Sequence, residues 1–377
     1  MRGMGHEHGI RQALERSNSA YANLDQVDLS MSHPGEKLPM RKTPTIYDVA
    51  ERAGVSKSLV SLVLRDSPRV SAEKRAAVLS AVADLDYTPS RLAAGLAGTR
   101  TRSIGVVIDD FENLWFATAL AGLRESFAGG GYSLSVADIA LNAHLSLNPL
   151  EVFRSLRVDG LVLAGEVPRA AVERFTAPTV ILGTRAISAG VAPVSASDET
   201  AGGCLAVRHL ADLGHRSIAC VSASGASAAA REAGYLAEMR ERNLAPQVLR
   251  AEQTSEAAAR TAVSQVFTPE GSAAPLPTAV FAVNDPMAVG VIGAAQDRGL
   301  RVPQDLSVVG YDNSPLAAYE LIALTSVSGD MRELGRAAGR TLAELIEGSG
   351  GAELSSRAPE LLEPRMAVRS STAPLGY

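Results

Sequence analysis

The sequence predicts a small all-α helix-turn-helix head followed by an α/β core of two doubly wound subdomains. Three observations lead there. Three short helical patterns run from residue 45 to residue 86, with a glycine turn between the first two. From Ser103 onward, short runs rich in Val and Ile alternate with alanine-rich helical stretches, the pattern of parallel sheets covered by helices. At 377 residues the chain is also longer than one domain needs.

In the head, Thr45 is placed to cap a first helix, with Asp48 three residues on, and Ile46, Val49, Ala50 and Ala53 recur at helical spacing. Gly54 ends that helix. Ser56 caps a second, KSLVSLVLR, and Ser71 caps a third that is expected to bury Val78, Leu79, Val82 and Leu85. Two short helices around a tight turn, backed by a third, form the helix-turn-helix pattern.

A wheel of about 100° per residue divides the second helix. Lys57, Ser58, Ser61, Leu62 and Arg65 share one half, and Leu59, Val60, Val63 and Leu64 share the other with Ser56. The first half suits the major groove of DNA: Lys57 can donate to guanine O6 or N7, Ser58 to several base edges, and Ser61 with the Ser56 or Thr45 hydroxyl to phosphates. Leu62 is the apolar exception. It either meets a thymine methyl or packs at the edge of the core. The same face on a helix with no partner would be an ordinary solvated surface, so charge is the second consideration. Residues 41 to 102 hold 11 Lys and Arg against 6 Asp and Glu, a net +5, whereas the whole chain is at −5 and the remainder therefore at −10. A basic head on an acidic body is the distribution expected if only the head meets nucleic acid.

The core strands are legible as SIGVVID, YSLSVAD, GLVLAG, PTVILG, SIACVSA, TAVFAVN and LSVVGYD. About 275 residues of this pattern exceed one modest sheet, so residues 103–370 are assigned to two subdomains with a cleft between them, at the carboxyl ends of the strands. The chain is expected to cross between them near 199 and again near 325. The glycine clusters GLAGTR and AGGGY lack the strand, GxGxxG and helix of a dinucleotide site, and VSASGASA lacks the GxSxG of a nucleophile elbow. No cofactor and no metal site is expected.

Residues 1–40 mix Gly, Ser, Asn, His and Pro without an apolar period and are read as a disordered extension; Met40 is a candidate natural start. No apolar run approaches the roughly 20 residues of a membrane span, and a signal peptide is not evident, so a cytoplasmic location with no membrane partner is expected. Cys204 and Cys220 are read as small buried hydrophobes.

The run TIYDVAERAGVSKSLVSLVLRDSPRVSAEKRAAVLSAVADLDYTPSRLAAGLAGTRTRSIGVV resembles the lactose and galactose repressor (LacI/GalR) family. DFENLWF, ASDETAGGCLAVRHLADLGHRSIA, REAGY, AVFAVNDPMAVG and GLRVPQDLSVVGYDNSPLA extend the resemblance, in the family's order, across about residues 43 to 370. The resemblance implies a homodimeric transcription regulator. A head at 43–88 would bind a pseudo-palindromic operator in double-stranded DNA, a hinge helix at 89–102 would join it to the core, and a periplasmic-binding-protein-like core would bind a small effector, often a sugar. By motif, Lys57, Ser58 and Leu62 take base-reading positions. In the core, Trp115 and Phe116 take the place of an aromatic pair at the cleft wall, Asp198 and Asp312 of acidic pocket positions, and Arg231 of the arginine that grips effector, with Asn284 a further candidate. Gln253 stands where many relatives carry an aromatic lid, and Leu114 replaces a proline before the aromatic pair.

The segment RLAAGLAGTRTR, by its own propensity, is a linker. A helix of about two turns is too short to persist alone, since isolated helices need roughly 12–15 residues. The resemblance implies that it folds only with DNA and a dimer partner, with Leu96 wedged into the minor groove; Ala94 and Gly95 depart from the family's pattern there, and Arg91, Arg100 and Arg102 are expected to supply phosphate contacts instead. Two other classes fit the sequence less well. A transporter-associated binding protein calls for an export signal and no basic head, and an enzyme calls for an acid–base pair or metal cluster that no motif supplies.

Overall fold

A computed structural model describes residues 44–376 except 65–66, 88–99, 110, 112, 143, 145–147, 165–171, 184–191, 265, 267–275 and 349–359. The N-terminal extension, Arg65, Arg91, Leu96 and most of the hinge segment lie outside the described residues. The chain divides into two compact units, one ending at Pro89 and one beginning at Ser90.

The first unit contains helices α1 (Ile46–Arg52), α2 (Lys57–Leu64) and α3 (Ala72–Asp84). The Asp48 carboxylate accepts from both the backbone N–H and the hydroxyl of Thr45, each at 2.6 Å, which fixes the start of α1. Gly54 takes φ +63°, a left-handed turn that glycine enters without a Cβ penalty. Ser56 and Ser71 then accept from Leu59 N–H and Lys74 N–H at the starts of α2 and α3. Val49, Val60, Val63, Val78 and Ala81 form the small core between the helices. One expectation is corrected. Leu79 is half exposed at 50%, because Val78, Ala81, Val82 and Leu85 already form the inward stripe and Leu79 lies about 100° off it.

The second unit holds two six-stranded sheets. The first contains β1 (Ser103–Ile108), β2 (Ser133–Asp138), β3 (Gly160–Leu163), β4 (Thr179–Leu182), β5 (Val194–Ser197) and β11 (Glu360–Leu362), in the order β11-β5-β4-β3-β1-β2. The second contains β6 (Ile218–Ser222), β7 (Gln247–Arg250), β8 (Ala279–Ala282), β9 (Ser307–Tyr311), β10 (Thr325–Ser328) and β12 (Arg365–Ala367), in the order β12-β10-β9-β8-β6-β7. All pairings are parallel except that of β12 with β10. Strands β1, β6, β8 and β9 are buried on both faces, which is why they read as continuous apolar runs rather than alternating ones.

The chain passes from the first sheet to the second after Ser197 and back after Ser328. It crosses a third time between β11 and β12, at residues 363–364. Those two strands have three residues each, too few to carry a periodic signal. No helix among the described residues is long and apolar enough to cross a membrane.

The helices α7 (Glu199–Asp212) and α8 (Ala226–Glu241) cover one face of the second sheet and cross with almost no side-chain spacer. A methyl group on Gly203 would overlap the carbonyl oxygen of Arg231, and one on Gly234 would overlap that of Thr200. This close crossing brings the Arg231 backbone against the first turns of α7. We predict that Gly203→Ala lowers stability by about 1–3 kcal/mol through overpacking, read as a shift in urea midpoint; an unchanged midpoint would show that the crossing has slack.

Candidate functional site

A cavity of about 720 Å³ opens between the two sheets at the carboxyl ends of their strands. One wall comes from the first sheet, through Asp109 just after β1, Gly183 just after β4, and Trp115 and Phe116 in the first turn of α4 (Leu114–Ser126). Asn113 caps that helix by accepting from Trp115 N–H at 3.0 Å, so the aromatic pair is set where the helix begins. The two rings meet edge to face, with centroids 5.0 Å apart and planes at 86°, and both are almost fully buried.

The opposite wall is built around Arg231 on α8. Its guanidinium is 6% exposed and is held on every side. Nε donates to Glu199 Oε2 at 2.9 Å, Nη1 donates to the Val283 carbonyl at 2.7 Å, and Nη2 lies 3.0 Å from Asp312 Oδ1. The plane stacks on the Tyr311 ring at 3.8 Å. Burial pulls the Arg231 pKa down, but Asp312 and Glu199 more than reverse this, so the group remains a cation.

Asp312 follows β9 with φ +101°, a backbone conformation uncommon outside glycine and a mark of stored strain of about 1–3 kcal/mol. Burial pushes its carboxyl up to about 7, against the downward pull of Arg231 and with Asp285 and Glu199 adding to the rise. Oδ1 is close to the guanidinium yet accepts no aligned hydrogen bond. Asp285, fully buried beside this group, accepts from the Ser326 hydroxyl at 2.6 Å and from Ser314 N–H at 2.7 Å.

Of the expected cleft residues, Trp115, Phe116, Arg231, Asn284 and Asp312 line this cavity together. Asn284 does so while capping helix α10 (Asp285–Asp297): its Oδ1 accepts from Met287 N–H at 2.9 Å and its Nδ2 donates to the Thr254 carbonyl at 3.0 Å. Asp198 and Gln253 are not among the lining residues. Asp198 caps α7 by accepting from Ala201 N–H at 2.8 Å, and the neighbouring Glu199 is the one that reaches Arg231. Gln253 is exposed, and Thr254, Ser255 and Glu256 after it face the cavity instead.

Sequence reasoning missed Glu199, Asp109, Tyr311 and the loop from Ser224 to Ala228. Position was the available signal, since several of these immediately follow a strand, where doubly wound sheets bind ligands. The same loop includes Gly225 at φ +122°, so the glycine rejected as a nucleophile elbow is a cavity wall.

On the head, Lys57 and Ser58 are exposed, Leu62 is 37% exposed, and Ser61 is half-buried. The Thr45 hydroxyl is occupied by Asp48, and Ser56 caps α2. Lys57 Nζ donates to the Tyr47 hydroxyl at 3.1 Å and lies 4.8 Å from that ring's centroid. Tyr47, 63% exposed on α1, was not singled out in the sequence, although an aromatic on the outer face of a basic helical head is a contact candidate.

The histidines His209 and His215 hold the C-terminal segment to the core. His209 Nε2 pairs with the Thr372 hydroxyl at 3.0 Å, and His215 bridges Thr278, Ser307 and the Ala373 carbonyl. Cys220 is fully buried, whereas Cys204 is half-buried with its thiol 3.3 Å from the Gly234 carbonyl.

Because the Asp312 pKa rises from the ordinary 3.8 to about 7, the native state holds more protons than the unfolded chain between those values. This group's contribution to stability therefore falls as pH rises through about 7. Asp312→Asn removes that dependence. Urea denaturation from about pH 5.5 to about pH 8 is expected to show the stability of the native chain declining relative to the variant, and a constant difference would contradict a near-neutral ionisation.

A family description for bacterial regulatory proteins of the lacI family matches residues 45–90, and one for a periplasmic binding protein-like domain matches residues 207–372. The chain is 33% identical over 336 residues to the transcriptional repressor PurR of Serratia proteamaculans, covering 85% of this chain and 96% of that one. It is 32% identical over 311 residues to catabolite control protein A of Priestia megaterium, covering 80% and 92%. Among solved structures, the Lac repressor dimer bound to operator and an anti-inducer matches with a TM-score of 0.72 at 28% identity, covering 88% of this chain and all of that one. With its helix-turn-helix head and two-sheet parallel core, the chain belongs to the LacI family and is a DNA-binding transcriptional repressor rather than an enzyme.

Proposed function

We propose that this repressor binds a pseudo-palindromic operator as a homodimer in the cytoplasm, and that a small molecule in the cleft, a sugar or sugar derivative, controls its affinity for DNA. The observation that carries this reading is the cavity itself. It has an aromatic wall from one sheet and a buried, charged wall from the other, the pairing of apolar surface and placed polar groups that defines a small-molecule site. Because the two walls belong to different sheets, a ligand touching both has a different affinity for each relative position of the sheets. Differential affinity is what a ligand needs to shift a conformational equilibrium.

In the head, Lys57, Ser58 and Leu62 are assigned to base edges, and Arg65, Ser61 and the first-turn groups of α1 and α2 to phosphates. The exposure of Lys57, Ser58 and Leu62 on one face of α2 supports the base-edge assignment, and Arg65 lies outside the described residues. The segment 89–102 is assigned as the hinge that orders on DNA with Leu96 in the minor groove. Its weak intrinsic helicity makes it responsive, because a small change in coupling suffices to melt it.

Randomised-site selection on the full chain tests the DNA assignment. Lys57→Ala and Ser58→Ala are each expected to relax preference at one base pair of each half-site, by about 1–3 kcal/mol of discrimination. Weaker binding with the preferred operator unchanged would assign both side chains to phosphates instead.

A further inference from the structure

Lys57 stands at the first position of α2, where a cation is electrostatically unfavourable. The free N–H groups of a first turn make that end of a helix partly positive, and the first turn of α2 contains no acidic residue. The offset comes from α1. Tyr47, the second residue of that helix, lies ten positions back in the chain, and the packing of Val49 and Ala50 with Val60 and Val63 brings the two helices together. Lys57 Nζ donates to the Tyr47 hydroxyl oxygen at 3.1 Å and lies 4.8 Å from the ring centroid, inside the roughly 6 Å reach of a cation–π contact.

The two side chains differ in how firmly they are held. Asp48, next to Tyr47, closes the start of α1 on Thr45, and a tyrosine ring on that fixed turn has only two torsions to order. Lysine carries a compact charge on a flexible four-carbon stem. A mobile ammonium of that kind selects weakly, because it finds acceptors on phosphates as readily as on base edges. Held by Tyr47, the Lys57 ammonium has one N–H engaged and two left, presented from one place, as reading guanine O6 and N7 requires. Both side chains are exposed, Tyr47 at 63%, so the pair is no part of the core of the head.

We propose that Tyr47 is a specificity-determining residue that acts through Lys57: its hydroxyl and ring fix the ammonium, and so set how sharply the head prefers one base where Lys57 reads. This rests on the assignment of Lys57 to a base edge and adds the residue that positions it.

The test is a double-mutant cycle in randomised-site selection on the full chain, with Tyr47→Phe, Lys57→Ala and the two combined. Tyr47→Phe keeps the ring and removes only the hydroxyl. It is expected to lower discrimination by about threefold to tenfold, the worth of one hydrogen bond, at the base pair that Lys57→Ala also relaxes and at no other. In the Lys57→Ala background the same change is expected to have no further effect, because the two residues act as one. The urea midpoint of Tyr47→Phe is expected to match that of the native chain. Unchanged discrimination in Tyr47→Phe, where Lys57→Ala relaxes it, overturns the positioning role and leaves the base assignment of Lys57 standing. Equal losses from Tyr47→Phe with and without Lys57 overturn it as well and make Tyr47 a DNA contact in its own right. Tighter operator binding by Tyr47→Phe contradicts it too, since the phenol would then be holding the ammonium away from DNA. A lowered midpoint with losses at every position marks a structural role instead. If Lys57→Ala itself leaves the preferred operator unchanged, the base assignment falls and the positioning role falls with it.

Discussion

The pairing of Arg231 with Glu199 and Asp312 is the constraint around which the second sheet is arranged. Three segments converge on one guanidinium: the start of α7 just after the chain leaves the first sheet, the residue following β8, and the residue following β9. Removing one partner of a buried pair of this kind costs about 3–5 kcal/mol, because the other charge is left desolvated. The cluster therefore fixes the spacing of these segments and holds Asp312 in a strained backbone conformation that it would not adopt alone. Gly203 and Gly234 serve the same end from outside, since only residues without side chains let α8 approach closely enough to deliver Arg231.

The location of this cluster gives it consequences beyond stability. Glu199 lies one residue beyond Asp198, at the first crossing between the sheets, and Asp312 lines the cavity. Anything that changes how Asp312 is paired acts on the same cation that anchors the crossing. Under the proposed regulation, this is where occupancy of the cleft becomes a preference for one relative position of the sheets.

Much of this was legible in the sequence, for identifiable reasons. Strands buried on both faces, such as VVI in β1 and AVFA in β8, carry apolar runs strong enough to see unaided. Strands β5, β7, β11 and β12 have three or four residues, lie at or beside sheet edges or carry polar residues, and gave no comparable signal. The head was clearer still, because capping residues and Gly54 punctuate it, but Leu79 shows that an apolar residue within a helix need not belong to its buried stripe. In the site, residue types at strand ends could be named, yet their pairing could not. Asp198 and Glu199 are adjacent acids, and only the fold decides that the first caps a helix while the second reaches Arg231. The sequence likewise offered Arg231 and Asn284 as donors to a ligand without disclosing that the protein itself already uses them.

Under the proposed regulation cleft and head are thermodynamically coupled, and coupling of this kind is reciprocal. A ligand identified by its effect on Trp115 would be titrated into the full chain with and without operator DNA, and operator would be titrated with and without ligand. Each is expected to change the other's affinity, and by the same factor. Identical ligand affinity in the presence and absence of operator would contradict it.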